Sequence, residues 1–245
     1  MDNALYVGLT RQMGLRRALD VVANNMANIS TTGFKTDALL FETETGRPAV
    51  SQIAPRQIQF VDGWAMARDM SVGPMEQTGA QLDVALSGPG FFTIQGPQGP
   101  LYTRAGRFAL SPAGEIVTAN GQTVLSDAGA PLLVNPGGGP LSITGDGAVT
   151  QAGVTIGRLG VAEFANPAAL EKVGDNLFAP GAQAPAPATA PGVRQGMIEG
   201  SNVKAVLELT RLIEIQRAYE SVTRMIRSEE ELRDKAISRL GRAQG

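Results

Sequence analysis

The chain has neither cysteine nor histidine. Their absence removes disulfides, thiol nucleophiles, imidazole acid–base catalysis and the commonest zinc and haem ligands together. A metal would have to rest on carboxylates, and no Asp-x-Asp-x-Asp loop occurs, so neither metal nor cofactor is expected. Aromatics make up only 5% of the 245 residues, which leaves a mainly aliphatic core. Trp64, the single tryptophan, reads as a packing anchor rather than a ligand platform. No stretch approaches the roughly 18 uninterrupted apolar residues of a membrane span. Residues 1–29 lack a charged opening, and Arg11, Gln12, Arg16 and Arg17 interrupt them, so no cleaved secretory signal is expected. With 21 Lys+Arg against 23 Asp+Glu the net charge is −2. That provides no global attraction to nucleic acid or to an anionic membrane.

The chain does carry helical periodicity at both ends. From Asn3 to Ile29, the residues Leu5, Gly8, Gln12, Leu15, Leu19, Val22, Met26 and Ile29 recur at alternating steps of three and four. From Ser201 to about Arg239, Leu209, Leu212, Gln216, Tyr219, Thr223 and Ile226 do the same. This is the spacing of a coiled-coil seam, and neither stretch holds an internal proline. The two helices would be roughly 40 and 58 Å long. A second apolar set lies off the seam: Val7, Leu9, Met13, Ala18 and Val21 in front, Val206, Ile213, Ile215 and Val222 behind. Burying one such side chain is worth about 1.5–3 kcal/mol, a substantial drive to associate. Self-association and packing within the chain both satisfy it.

The front helix has a readable stop. Gly33 suits the left-handed conformation after a helix end, with Phe34 placed for the accompanying apolar contact. Asn24, Asn25 and Asn28 in the last turns either fray the helix or hydrogen-bond across a packed surface and fix register. Residues 36–80 show no sustained period and read as extended chain with brief strands such as Ile58 to Val61. From Leu82 to Phe178 short apolar segments alternate with turns, Asn120-Gly121 being the strongest hairpin signal. Residues 82–178 are therefore expected to fold as a unit, while Gly181 to Pro191 is loop. The glycine clusters Gly88-Pro89-Gly90 and Gly137 to Gly139 match no phosphate-binding loop. Asp83, Glu115, Asp146 and Glu163 are not spaced to favour an acid–base pair. Glu229, Glu230 and Glu231 beside Arg227 and Arg233 read as a solvated helix face.

The expected fold class is α+β, with long N- and C-terminal α-helices forming a coiled-coil-like domain around a central, mostly antiparallel β domain. The expected division is 1–35 (first helix), 36–80 (extended connection), 81–180 (β domain), 181–200 (Ala/Pro loop and return) and 201–245 (second helix).

Taken together, several motifs resemble the flagellar rod, hook and basal-body family of axial proteins. They are Ala23 to Asn28 with Thr32-Gly33-Phe34-Lys35, then Leu82 to Phe92, Tyr102 to Leu125, Asn176-Leu177-Phe178, and Glu199 to Glu220. The short middle domain, with Met1 to Arg17 and Ser228 to Leu240, resembles a proximal-rod subunit; a distal-rod subunit is the nearest alternative. The resemblance implies a structural, non-enzymatic protein whose terminal helices nest with those of other copies and other rod proteins into an inner tube, the β domain outside. It also implies passage through the flagellar type III export apparatus and a place in the rod across the periplasm. The residues expected to pack between subunits are Leu5, Leu15, Leu19, Val22, Asn25, Met26, Asn28 and Ile29, with Leu209, Leu212, Gln216, Tyr219, Thr223 and Ile226. Two other classes are compatible with parts of the pattern. A binding module on a coiled-coil stalk would need a pocket or an aromatic groove. A cell-wall hydrolase would need two carboxylates converging at roughly 5–10 Å.

Overall fold

A computed structural model describes residues 2–45 and 59–242, with side chains described for 6–40, 66–235 and 238. Helix α1 (Asp2–Ala27) is followed by β1 (Asp37–Thr45), β2 (Gln59–Arg68), β3 (Met75–Gln77), β4 (Val84–Leu86), β5 (Phe91–Gly96) and β6 (Gly99–Thr103). Next come β7 (Phe108–Leu110), β8 (Ile116–Thr118), β9 (Leu141–Ile143), β10 (Ala148–Gln151), β11 (Val154–Arg158) and β12 (Val161–Glu163). The chain then forms β13 (Glu171–Gly174), β14 (Leu177–Ala179), β15 (Ala186–Pro187), β16 (Val193–Gln195), β17 (Met197–Glu199) and α2 (Ala205–Arg242).

These elements form two compact units. One holds residues 1–27, 37–68 and 204–245; the other holds 28–36 and 69–203. In the first unit α1 and α2 pack together, as the periodicity predicts, and β1 pairs antiparallel with β2. This ladder of nine and ten residues is longer than the brief strands expected. Its register shifts between Glu42 and Thr43, where Gly63 faces Glu42, a bulge that breaks the alternation sequence reading depends on. The side chains of Phe60, Val61 and Trp64 lie outside the described residues, as does Ile58 altogether.

Apart from one 3-10 turn at Pro167–Ala169, the regular structure of the second unit is β, and every ladder in it is antiparallel. Its largest sheet runs in the order β13-β14-β6-β5-β12-β15, and a smaller one runs β11-β10-β9. The central strands β5 and β6 supply Phe92, Ile94 and Tyr102, all essentially buried. One core gathers Val84, Leu86, Phe92, Ile94, Ile116, Val124, Val149 and Leu159. A second, aromatic core joins Phe91, Tyr102 and Phe178 to the half-buried Phe164. Edge-to-face ring contacts at centroid distances of 4.8–5.9 Å hold it together. At the edges, β15 is two residues long and ends in Pro187, while β13 is fully exposed and carries Glu171 and Lys172.

The stretch Tyr102 to Leu110, which reads as a single strand, is broken. Arg104 to Arg107 leave the sheet, and Gly106 lies so close to Val84 that a Cβ there would overlap the Val84 carbonyl oxygen. Thr123 to Leu125 and Leu132 to Val134 join the β unit through single bridges, such as Val124 to Ile94 and Leu133 to Glu115. The pairing does not end at Phe178: β16 joins β4 and β17 joins β3, placing Val193 and Ile198 in the buried set.

Candidate functional site

The site proposed from the helical periodicity is a packing surface, so its geometry begins with how the two helices meet. They run antiparallel. Gly8 faces Ile226, where an added Cβ would lie 3.1 Å from Ile226 Cγ1, so the absent side chain permits the close approach. One helical turn further on, Gln12 Nε2 donates to Tyr219 Oη (3.2 Å) and Thr223 Oγ1 (3.3 Å). Ala18, Val22 and Val222 are buried, and Leu15, Leu19, Met26, Leu212, Tyr219, Thr223 and Ile226 are half-buried.

At the far end of α1, Asn25 is 1% exposed and joins three elements. Its Nδ2 donates to the Asp37 carbonyl (2.8 Å) and to Glu208 Oε2 (3.2 Å), and its Oδ1 accepts from Asp37 N–H (3.1 Å). Asp37 in turn accepts from Arg68 Nε at 2.7 Å, and Glu208, itself buried, pairs with Arg211 at 2.7 Å. Of the two readings of the asparagines, Asn25 fits the register pin: a buried amide whose bonding groups are all directed at specific partners. Glu208 and Asp37, which complete it, were not singled out from the sequence; nothing local distinguishes a buried carboxylate from a solvated one.

The remaining expected packing residues are distributed as follows. The side chain of Leu5 lies outside the described residues. Leu209, Gln216 and Ile29 are exposed, and Asn28 is half-buried, its Oδ1 accepting from Thr31 Oγ1. Large apolar side chains remain exposed on both helices: Tyr6 (65%), Leu9 and Met13 on α1, and Val206 (75%), Leu207, Leu209, Ile213, Met225 and Leu232 on α2. Charged side chains are exposed along α2 as well, in pairs such as Arg224 with Glu220 and Lys235 with Glu231, both at 3.8 Å. Among the described residues no helix is long and apolar enough to cross a membrane.

The motifs that carry the family resemblance meet elsewhere, inside the β unit. Gly33 has φ +67°, and its Cα lies tight against the backbone of Arg104 and Ala105. Phe34 is buried beneath the Lys172 ammonium, 4.6 Å from the ring centroid. Lys35 Nζ reaches Glu199 Oε1 at 2.5 Å, and Arg104 Nη1 reaches Glu199 Oε2 at 3.4 Å. Burial pulls the Lys35 ammonium below its ordinary pKa, with Glu199 partly restoring it, and the same two causes act on Arg104. Asn202 Oδ1 accepts from Thr36 N–H and Oγ1, and Asn176 Nδ2 donates to the Thr32 carbonyl. Four sequence motifs thus form one buried node. Two of the four carboxylates considered for an acid pair are engaged otherwise: Glu115 Oε2 accepts from Thr123, and Asp146 pairs with Arg158.

Comparison with known proteins agrees in order along the chain. Residues 5–35 match a family described as flagella basal body rod protein. Residues 85–156 match the flagellar hook protein FlgE/F/G D1 domain, and residues 194–239 the flagellar basal body rod FlgEFG protein C-terminal region. The flagellar basal-body rod protein FlgF of Caulobacter vibrioides is 46% identical over 243 residues, 99% of each chain. That of Rhizobium meliloti is 37% identical over 98% of this chain and 99% of its own. The rod protein FlgG of Agrobacterium fabrum is 37% identical over 94% of this chain and 96% of its own. On this similarity, which spans the whole chain, the protein belongs to the flagellar basal-body rod family, on its FlgF branch, whose members are structural subunits of the rod.

Proposed function

We propose that this chain builds the proximal part of the rod by polymerising, through its paired terminal helices, with copies of itself and with other proximal and distal rod proteins. The chain leaves the cytoplasm through the flagellar type III export apparatus and assembles where the rod spans the periplasm. The observation that carries this reading is the apolar set left exposed on both helices, from Tyr6 and Leu9 on α1 to Val206 and Ile213 on α2. Placement in the proximal rather than the distal rod is supported by the higher identity to the FlgF of Caulobacter vibrioides than to the FlgG of Agrobacterium fabrum.

The subunit-packing residues are then of two kinds. Val22, Asn25, Leu19, Leu212, Tyr219, Thr223 and Ile226 set the geometry of the pair; Leu209, Gln216 and Ile29 are open to a neighbour. A charge buried in such a contact without a partner costs several kcal/mol in every copy. Ile213→Asp, on the exposed face, should leave the melting of the purified chain unchanged yet abolish rods and swimming. Leu19→Asp and Leu212→Asp should also block assembly, with some loss of monomer stability, whereas Arg233→Glu should do neither. Normal swimming with intact rods in Ile213→Asp and Leu212→Asp cells would refute the proposal.

A further inference from the structure

We propose that Lys35, Glu199 and Arg104 form a specificity lock in the β unit. One buried carboxylate shared by two buried cations selects the single closure in which residues 28–36 lie against residues 199–203, and it does so at a cost in stability.

The charge count is the first observation. The three side chains are 1%, 0% and 4% exposed, and they carry two positive charges against one negative. Asp69 adds a weaker pull on Lys35 from the surface. The Arg104 Nε–H is buried and finds no acceptor among the described residues, and the guanidinium carbon lies 5.3 Å from the Phe91 ring centroid. A cluster built for stability would match its charges and satisfy its donors. Buried ion pairs are often less stabilising than apolar side chains of the same volume, but breaking one is severe. That asymmetry makes such a cluster suited to excluding wrong arrangements.

The second observation is what the lock holds. Gly33 N–H donates to the Glu199 carbonyl (2.7 Å), Gly200 N–H to the Pro74 carbonyl (2.8 Å), and Gly73 N–H to Glu199 Oε1 (3.0 Å). Backbone bonds of this kind recur at every residue and do not by themselves distinguish one register from the next. The charges do. A slip of one residue in 28–36 moves Lys35 away from Glu199 and leaves a buried ammonium without its carboxylate, while Glu199 keeps only Arg104 and the Gly73 N–H; that outcome is far costlier than a lost backbone bond. The lock therefore fixes where the chain enters and leaves the β unit, the two segments that continue into α1 and α2.

The test uses the full chain. Glu199→Gln strands two buried cations and should lower the Tm by roughly 10 °C. Lys35→Met alone, leaving Arg104 with Glu199, should lower it far less. Adding Lys35→Met to Glu199→Gln should recover part of the loss; if Glu199→Gln fails to fold, the double variant should restore a folded chain. The triple variant Lys35→Met, Glu199→Leu, Arg104→Met should melt at or above the parent. It should nonetheless lose at least tenfold in hydrogen-exchange protection at the Gly33 and Gly200 amides, whose acceptors are backbone carbonyls that the substitutions leave in place. A triple variant that melts well below the parent, or one that keeps parental protection at those amides, would overturn the proposal. So would a double variant no better than Glu199→Gln alone.

Discussion

Replacing Asn25 by alanine tests how the helical unit is pinned. The substitution takes from Asp37 both an acceptor for its N–H (3.1 Å) and a donor to its carbonyl (2.8 Å), in a place where Asp37 is 4% exposed. Each buried backbone group left without a partner costs about 1–3 kcal/mol. Glu208 loses a donor at 3.2 Å but keeps Arg211 at 2.7 Å, so its share is small. Alanine returns about 0.5 kcal/mol of helix propensity. The net loss should be about 3 kcal/mol. Asn25→Asp should cost more than this, because it exchanges the donor for a second carboxylate beside Glu208 and keeps only the acceptor for Asp37 N–H. Urea denaturation of the purified chain, followed by ellipticity at 222 nm where α1 and α2 dominate, measures both. An alanine variant within about 1 kcal/mol of the parent, or an aspartate variant more stable than the alanine one, would refute this account of Asn25.

Three further outcomes are expected. Ala152 sits at φ 49° beside Gly153 at φ 83° in the turn between β10 and β11. Asparagine suits that conformation better, so Ala152→Asn should raise the Tm of the β unit, by about 0.5–1 kcal/mol of stability, in a thermal melt. Burial raises the Tyr102 hydroxyl above its ordinary pKa of 10.0. Its contribution is therefore complete below about pH 10 and lost as pH climbs through the raised value; Tyr102→Phe should flatten the parent's alkaline loss of unfolding free energy. Lys35, shifted the other way, acts alike in both chains, and equal slopes for variant and parent would contradict the assignment. A fragment of residues 82–178 should unfold less cooperatively than one of 69–203, because only the longer piece keeps β3 with β17 and β4 with β16; calorimetry distinguishes them.

How much of this was legible depended on whether a feature has a local signature. Both helices and the stop at Gly33 were legible, because apolar spacing and a left-handed glycine are properties of neighbouring residues. The inner face of α2 was legible only in part: Val222, off the heptad seam, is buried, and Leu209 and Gln216, on it, are exposed. A straight helix drifts about 20° per heptad from a strict seven-residue repeat, enough over these turns to bring a neighbouring position inward. The β1–β2 ladder was missed because its bulge disrupts the alternation. The partners of Asn25 and Lys35 could not be read at all. Glu208 is 183 residues from Asn25 and Glu199 is 164 from Lys35, and no periodicity spans such separations. What the sequence did preserve was the motifs, and the node explains them: Thr32 to Lys35, Tyr102 to Gly106, Asn176 and Glu199 to Asn202 are parts of one buried cluster.

The two ends of the six-stranded sheet bear on how such a chain can safely be concentrated. Strand β15 offers two residues, one of them Pro187, which has no N–H to donate, and β13 presents Glu171 and Lys172 across a ladder whose register is broken before Gly174. Neither end is a template on which a second chain could lay down a strand. A chain that assembles through exposed apolar helices, as proposed above, risks growing the wrong polymer, an amyloid-like fibre built edge to edge through such a sheet. With both of its edges blunted the six-stranded sheet does not offer that route, while the apolar helical side chains remain exposed, as the proposed mode of growth requires.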